Sequence, residues 1–215
     1  MSFLNQLKSQ ATALQREQSA LKRDLAKNTE MTELACKRVW FYLEDLAKQL
    51  NVIVPPGPKL SLDGKTPWPD MRLDGFRVDA RKKMLRGQEV YDYVGMWWRI
   101  VPQLGQPIAA EVSVNFPPDW QRVEQRLSLG QVKHERKEVR HPEKATLLAY
   151  RFEYRTETRG TVTFTADHDQ GLMVVRITNT RGFDAQELSL RSDQVTSAWL
   201  DELAKRLVGQ PSLLG

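Results

Sequence analysis

Residues 1–54 read MSFLNQLKSQATALQREQSALKRDLAKNTEMTELACKRVWFYLEDLAKQLNVIV, a run with neither glycine nor proline. Those two residues are the strongest local breakers of helical structure, so their absence predicts helix throughout. Within the run, Leu4, Leu7, Ala11, Leu14, Gln18, Leu21 and Leu25 recur at alternating spacings of three and four. This is an a/d heptad stripe, the seam along which one helix packs on another. It spans about 30 Å at the helical rise of 1.5 Å per residue. Gln18 puts a polar group on the seam, which costs stability but fixes register between helices.

The stretch Lys27-Asn28-Thr29-Glu30 carries stop and start signals together. Lys27 suits a helix C-terminus, Asn28 tolerates a left-handed conformation, and Thr29 can cap a new helix with Glu30 and Glu33 in its first turn. The expectation is two helical segments, about 3–27 and 30–50, with Ser2 capping the first. The rival is one continuous helix, since the register runs on through Thr32, Ala35, Val39, Tyr42 and Leu46. Residues 1–54 are thus a helical arm or hairpin, and its second segment is expected to join the domain formed by 55–215.

Beyond the proline-rich Val54-Pro-Pro-Gly-Pro58, the period changes from helical to two. Phe76, Val78 and Ala80 alternate with Arg77, Asp79 and Arg81; Val94, Met96, Trp98 and Ile100 share a parity; Ile108 to Phe116 and Leu148 to Tyr154 alternate cleanly. Arg159-Gly160, Asp167–Gly171 and Arg181-Gly182 read as turns, and a bulge is expected near 185–188, where parity slips. Pro117-Pro118-Asp119 opens a short middle helix, and Ser192 or Asp193 caps a last one over about 193–208. Short connections exclude parallel crossovers. The fold class is therefore α+β: an antiparallel, meander-like sheet of about seven to eight strands with an N-terminal helical arm, one short middle helix and a C-terminal helix.

Chemistry is sparse. His134, His141 and His168 lack the spacing of a zinc site, no glycine-rich loop joins a strand to a helix, and no serine sits in a nucleophile elbow. His168, between two aspartates, reads as a solvated turn rather than a base. Cys36 lies among Leu34, Ala35 and Val39 and is expected to be buried and inert. No cofactor or metal is indicated, and enzymatic activity is not favoured. A single cysteine and no basic-then-apolar leader suggest a reducing cytoplasmic setting.

Two surfaces remain as binding candidates. The strand around 90–101 carries Tyr91, Tyr93, Trp97 and Arg99 on the parity opposite Trp98, a possible ligand face. The competing expectation is that the N-terminal helices cover it, burying Trp97 near Val39 and Tyr42. Arg81, Lys82, Lys83 and Arg86 form one basic cluster, and Lys133, Arg136, Lys137 and Arg140 another that is interleaved with Glu135 and Glu138. The net charge is +5, spread thinly along the chain, which suits a solvated surface better than a nucleic-acid tail. Three functions follow: an interaction protein that self-associates or docks a protein partner through the heptad seam, a nucleic-acid-associated protein using basic and aromatic side chains, or a ligand binder or enzyme with a pocket between sheet and helices.

Overall fold

The structure is a computed structural model that describes residues 3–214. Ser2, the expected cap, lies outside them. The first element, α1 (Phe3–Ile53), is one unbroken helix of 51 residues, about 75 Å long. The expected break at Asn28 does not occur. The polar residues that suggested it are spent sideways: the Asn28 amide donates to the carbonyl of Asp169 at 2.8 Å. The Thr29 hydroxyl bonds back one turn to the Leu25 carbonyl at 2.8 Å and accepts from Arg86 at 2.7 Å. Neither side chain is left to cap a helix end.

The eight strands divide between two antiparallel sheets. β1 (Met71–Leu85), β2 (Gln88–Pro102), β6 (Thr158–Asp167), β7 (Leu172–Thr178) and β8 (Ala185–Arg191) form the larger one in the order β1-β2-β6-β7-β8. β3 (Ala109–Val114), β4 (His134–Arg140) and β5 (Leu147–Arg155) form the smaller in the order β3-β5-β4. The mixed-charge segment around 134–140 is thus an edge strand, where charge discourages further pairing. The middle helix α2 (Pro117–Leu129) buries Val123 and Leu127. The last helix, α3 (Ser197–Leu207), starts later than expected, after a 3-10 turn over Ser192–Gln194. Its cap is Thr196, whose side chain accepts from the Trp199 amide. No bulge is needed near 185–188, because Phe183 precedes β8 and the β7–β8 register is regular.

The second half of α1 lies on one face of the large sheet. Thr29, Thr32, Ala35, Cys36, Val39, Leu43, Ala47 and Leu50 are buried there. They share a single core with Met96, Trp98, Ile100, Phe164, Val175 and Ile177 of the sheet and Leu200 and Leu203 of α3. The same core reaches the small sheet through Trp68, which stacks on Tyr154 at 5.5 Å and meets Phe183 edge-on at 5.4 Å. Gly160 is not a turn residue: it sits inside β6 opposite Trp98, and a Cβ there would come within 2.2 Å of the indole ring atoms. The glycine exists for close approach, not for a bend.

Gly160→Ala therefore overpacks the core and should lower stability by about 1–3 kcal/mol, read by urea unfolding. A second expectation concerns the turn at Asp63. Burial opposes ionisation there, but donors from the Thr66 and Lys65 amides and the Thr66 and Ser61 hydroxyls outweigh it and hold the carboxyl down at about 2. A pKa depressed on folding stabilises above the unfolded value and is lost as pH falls through the folded one. Asp63→Asn should cost about 1 kcal/mol at neutral pH, allowing for solvent screening, and the difference should close as the pH approaches about 2.

Candidate functional site

The apolar stripe of α1 continues without a phase change from Leu4 to Leu50, in steps of three and four. The sheet covers only its second half. Leu4, Leu7, Leu14 and Leu21 are 58%, 45%, 59% and 59% exposed, and Phe3 is 73% exposed. Ala11 and Gln18 are also exposed, and Leu25 is half-buried where the arm meets the domain. All seven seam residues thus share one face of a helix that projects past the sheet, and among the described residues nothing covers Leu4 to Leu21.

The root of the arm is bolted to strand ends. Besides Asn28 and Thr29, the Thr32 hydroxyl pairs with that of Ser192 at 2.9 Å, and Arg86 binds Asp169 at 2.5 Å. Arg86 and Gly87 both have positive φ in the two-residue β1–β2 turn, the geometry that a tight hairpin requires. Beside the root lies a cavity of about 670 Å³ lined by Asp24, Lys27, Asn28, Met31, Gln170, Gly171, Leu172, Arg191 and Asp193.

The large sheet has a second face that no helix covers. The expected burial of Trp97 is not found: α1 lies against the side of Trp98, and Trp97 points the other way. Cross-strand pairing sets Arg77, Trp97, Thr161 and Thr178 in one row, Asp79, Gly95, Thr163 and Arg176 in the next, and Arg81, Tyr93, Thr165 and Val174 in a third. The Arg77 guanidinium stands 5.2 Å from the Trp97 ring centroid and that of Arg159 stands 6.0 Å from it. Because β2 lies between β1 and β6, the indole has one arginine on each side. Arg99 neighbours this group but is paired with Asp74 at 2.5 Å. Tyr93 shares the face and donates its hydroxyl to Asp79 at 2.9 Å. Tyr91 is set apart by a register shift beside Asp92 and packs against the core. Of the four residues expected to form the ligand face, three come together.

The basic clusters are largely neutralised. Arg81 and Lys83 pair with Asp92, and their bonds hold its carboxyl below the usual range. Lys82 pairs with Glu89 and Arg86 with Asp169. Arg136, Lys137 and Arg140 pair with Glu124, Glu153 and Glu138. The cations without a carboxylate within 4.0 Å, among the described residues, include Arg77, Lys133, Arg155, Arg159 and Arg176. Sequence reading passed over Arg159 because Gly160 beside it signals a turn. Arg77 was visible as an outward position of β1, but nothing local marks it as unpaired.

His168 is not solvated. It is 3% exposed, and its Nε2 lies 2.7 Å from the Tyr91 carbonyl oxygen and 3.9 Å from Glu33. The flanking Asp167 does serve the turn, accepting from the Asp169 and Gln170 amides. Among the described residues, no group of three or more His, Cys, Asp or Glu is placed to hold a metal ion, and no helix is long and apolar enough to cross a membrane. Compared with protein-family models, curated proteins and solved structures, the chain matches none.

Cys36 is fully buried, and burial, with the Glu33 charge adding to it, pushes its thiol up to about 12. A thiolate is the reactive form, so the native protein should resist alkylation by iodoacetamide at mildly alkaline pH. Labelling should appear only with denaturant, followed by mass spectrometry.

Proposed function

We propose that the protein is a non-enzymatic assembly module whose N-terminal arm pairs with the arm of a second copy. The observation that supports this reading is the uncovered half of a stripe whose other half is core. An exposed helix of this length, with leucines facing water and no tertiary support, is marginal by itself. Packing two such stripes together removes the leucines from solvent and lends each helix the support it lacks. The single buried cysteine favours a reducing, cytoplasmic setting.

The direction of pairing follows from geometry weighed against charge. With Leu4 at position a, Lys8, Gln15 and Lys22 fall at e and Gln10, Glu17 and Asp24 at g. Parallel helices would set Glu17 against Lys22 of the partner subunit, a surface pair worth about 0.3–0.5 kcal/mol. But the seam and the sheet-facing stripe lie on one side of a continuous helix. A parallel partner would therefore run into the space that the sheet already fills beyond Thr29. Steric exclusion outweighs tenths of a kcal/mol, so the arms pair antiparallel. Leu7 then faces the partner's Leu25, Ala11 the partner's Leu21, and Leu14 the partner's Gln18. Each tip, with Phe3 and Leu4, arrives beside the root of the other arm, where Met31 and Leu172 line the large cavity.

Size-exclusion chromatography with light scattering on the full chain should give a dimer. Leu14→Glu should give a monomer with unchanged thermal unfolding of the domain, since Leu14 is exposed and lies outside the core. A wild-type monomer at micromolar concentration overturns the reading. Lys22→Glu separates the two directions. It faces Lys8 in an antiparallel pair and should tighten the dimer about threefold to fivefold, whereas a parallel pair would be weakened by as much.

A further inference from the structure

We propose that the helix-free face of the large sheet, centred on Trp97 between Arg77 and Arg159, binds single-stranded nucleic acid. The face stands apart from the arm, and the proposal is independent of how the arm pairs.

Three observations converge on it. The first is a local departure from the charge pairing of the rest of the chain. Arg81, Lys82, Lys83, Arg136, Lys137 and Arg140 each hold a carboxylate. Arg77 and Arg159 have none within 4.0 Å among the described residues, though each is exposed and the two flank the same ring. The two guanidinium groups stand on either side of one indole, which supplies only a modest cation–π attraction to each. An anion on the face would find both without a competing carboxylate.

The second is continuity with a hollow. Arg159 also lines a cavity of about 390 Å³ with Gln131, Lys133, Arg155, Glu157 and Thr158. Lys133 likewise lacks a carboxylate, and the Arg155 guanidinium is held by the Pro107 carbonyl at 2.8 Å. Positive charge thus runs from β1 across β2 and β6 into this hollow, a track crossing three strands, about 10 Å at the usual strand spacing. Asp74 and Asp79 on β1 border the track and would turn phosphates towards Arg159 and Lys133.

The third is the shape of the groups. A guanidinium lying against an indole is a fixed plane on which an unpaired base can stack, while its edge reaches a phosphate. Tyr93 adds a second ring one row away from Gly95. No helix or hairpin rises from this face to enter a duplex groove, so single strands fit and duplexes do not. The large exposed apolar side chains all lie elsewhere, including the arm and Met84 at the hairpin tip. The face therefore carries no largely exposed aliphatic side chain to seat in a lipid surface, only the rings of Trp97 and Tyr93.

The test is fluorescence anisotropy of the full-length protein with a labelled mixed-sequence DNA single strand of about 20 nucleotides, at roughly 50 and 200 mM salt. Arg77→Ala with Arg159→Ala should weaken binding about tenfold at the lower salt and reduce the salt dependence by about two counterions. Trp97→Leu leaves net charge unchanged and should also weaken binding several-fold, because it removes the ring that fixes both guanidinium groups. Lys82→Ala with Lys137→Ala removes the same charge from paired positions and should change affinity less than about twofold. Circular dichroism checks that each variant is folded. The proposal is overturned by no wild-type binding at the lower salt. It is equally overturned by equal losses in the two double variants, by unaltered binding of Trp97→Leu, by a duplex bound as tightly as the single strand, or by phosphatidylserine vesicles that compete as well as unlabelled oligonucleotide.

Discussion

One helix is longer than the surface that covers it. The stripe on α1 packs against Met96, Trp98 and Phe164 from Thr29 onward, and this burial holds the whole domain together. At roughly 25 cal/mol for each square ångström of apolar surface removed from water, it is also the largest stabilising contribution available to α1. The same stripe continues past the sheet edge with no change of face and no loss of leucines. The pattern that makes the core also leaves the arm with an uncovered apolar edge.

Much of this was readable from residue spacing. Period-two alternation placed the strands, and the glycine- and proline-free opening placed the helix. What spacing could not give was the purpose of a residue that suits two roles. Asn28 and Thr29 have the chemistry of a helix boundary, yet they are polar because a β-turn carbonyl and the Arg86 side chain meet them from 57 or more residues away in sequence. Gly160 has the chemistry of a turn, yet it is small because Trp98 lies across it. In both cases a tertiary contact used a local signal for another end.

The candidate surfaces show the same division. The seven seam residues were visible as a set, since heptad spacing is local. Trp98 was legible as core from its shared parity with Val94, Met96 and Ile100; whether the Trp97 face was covered as well was not, because only the position of α1 decides it. The basic clusters were conspicuous as runs, but runs of charge on paired strands find carboxylates opposite, as Lys82 finds Glu89 and Lys137 finds Glu153. Two of the cations left over, Arg77 and Arg159, are 82 residues apart in sequence and are brought to either side of Trp97 only by the sheet.

The unbroken path of α1 from core to tip has a mechanical meaning. Its buried half fixes the helix in rotation as well as in position, so the azimuth of every leucine on the arm is set by Val39 and Leu43 on the sheet. Each residue turns an α-helix by about 100°. The segment between Leu25 and Thr29 is therefore a phase-locked coupling. A residue gained or lost there would leave the domain and the arm each intact and swing the exposed leucines to a different side of the sheet. Length in this short span sets the direction in which the leucines face as firmly as their own spacing does.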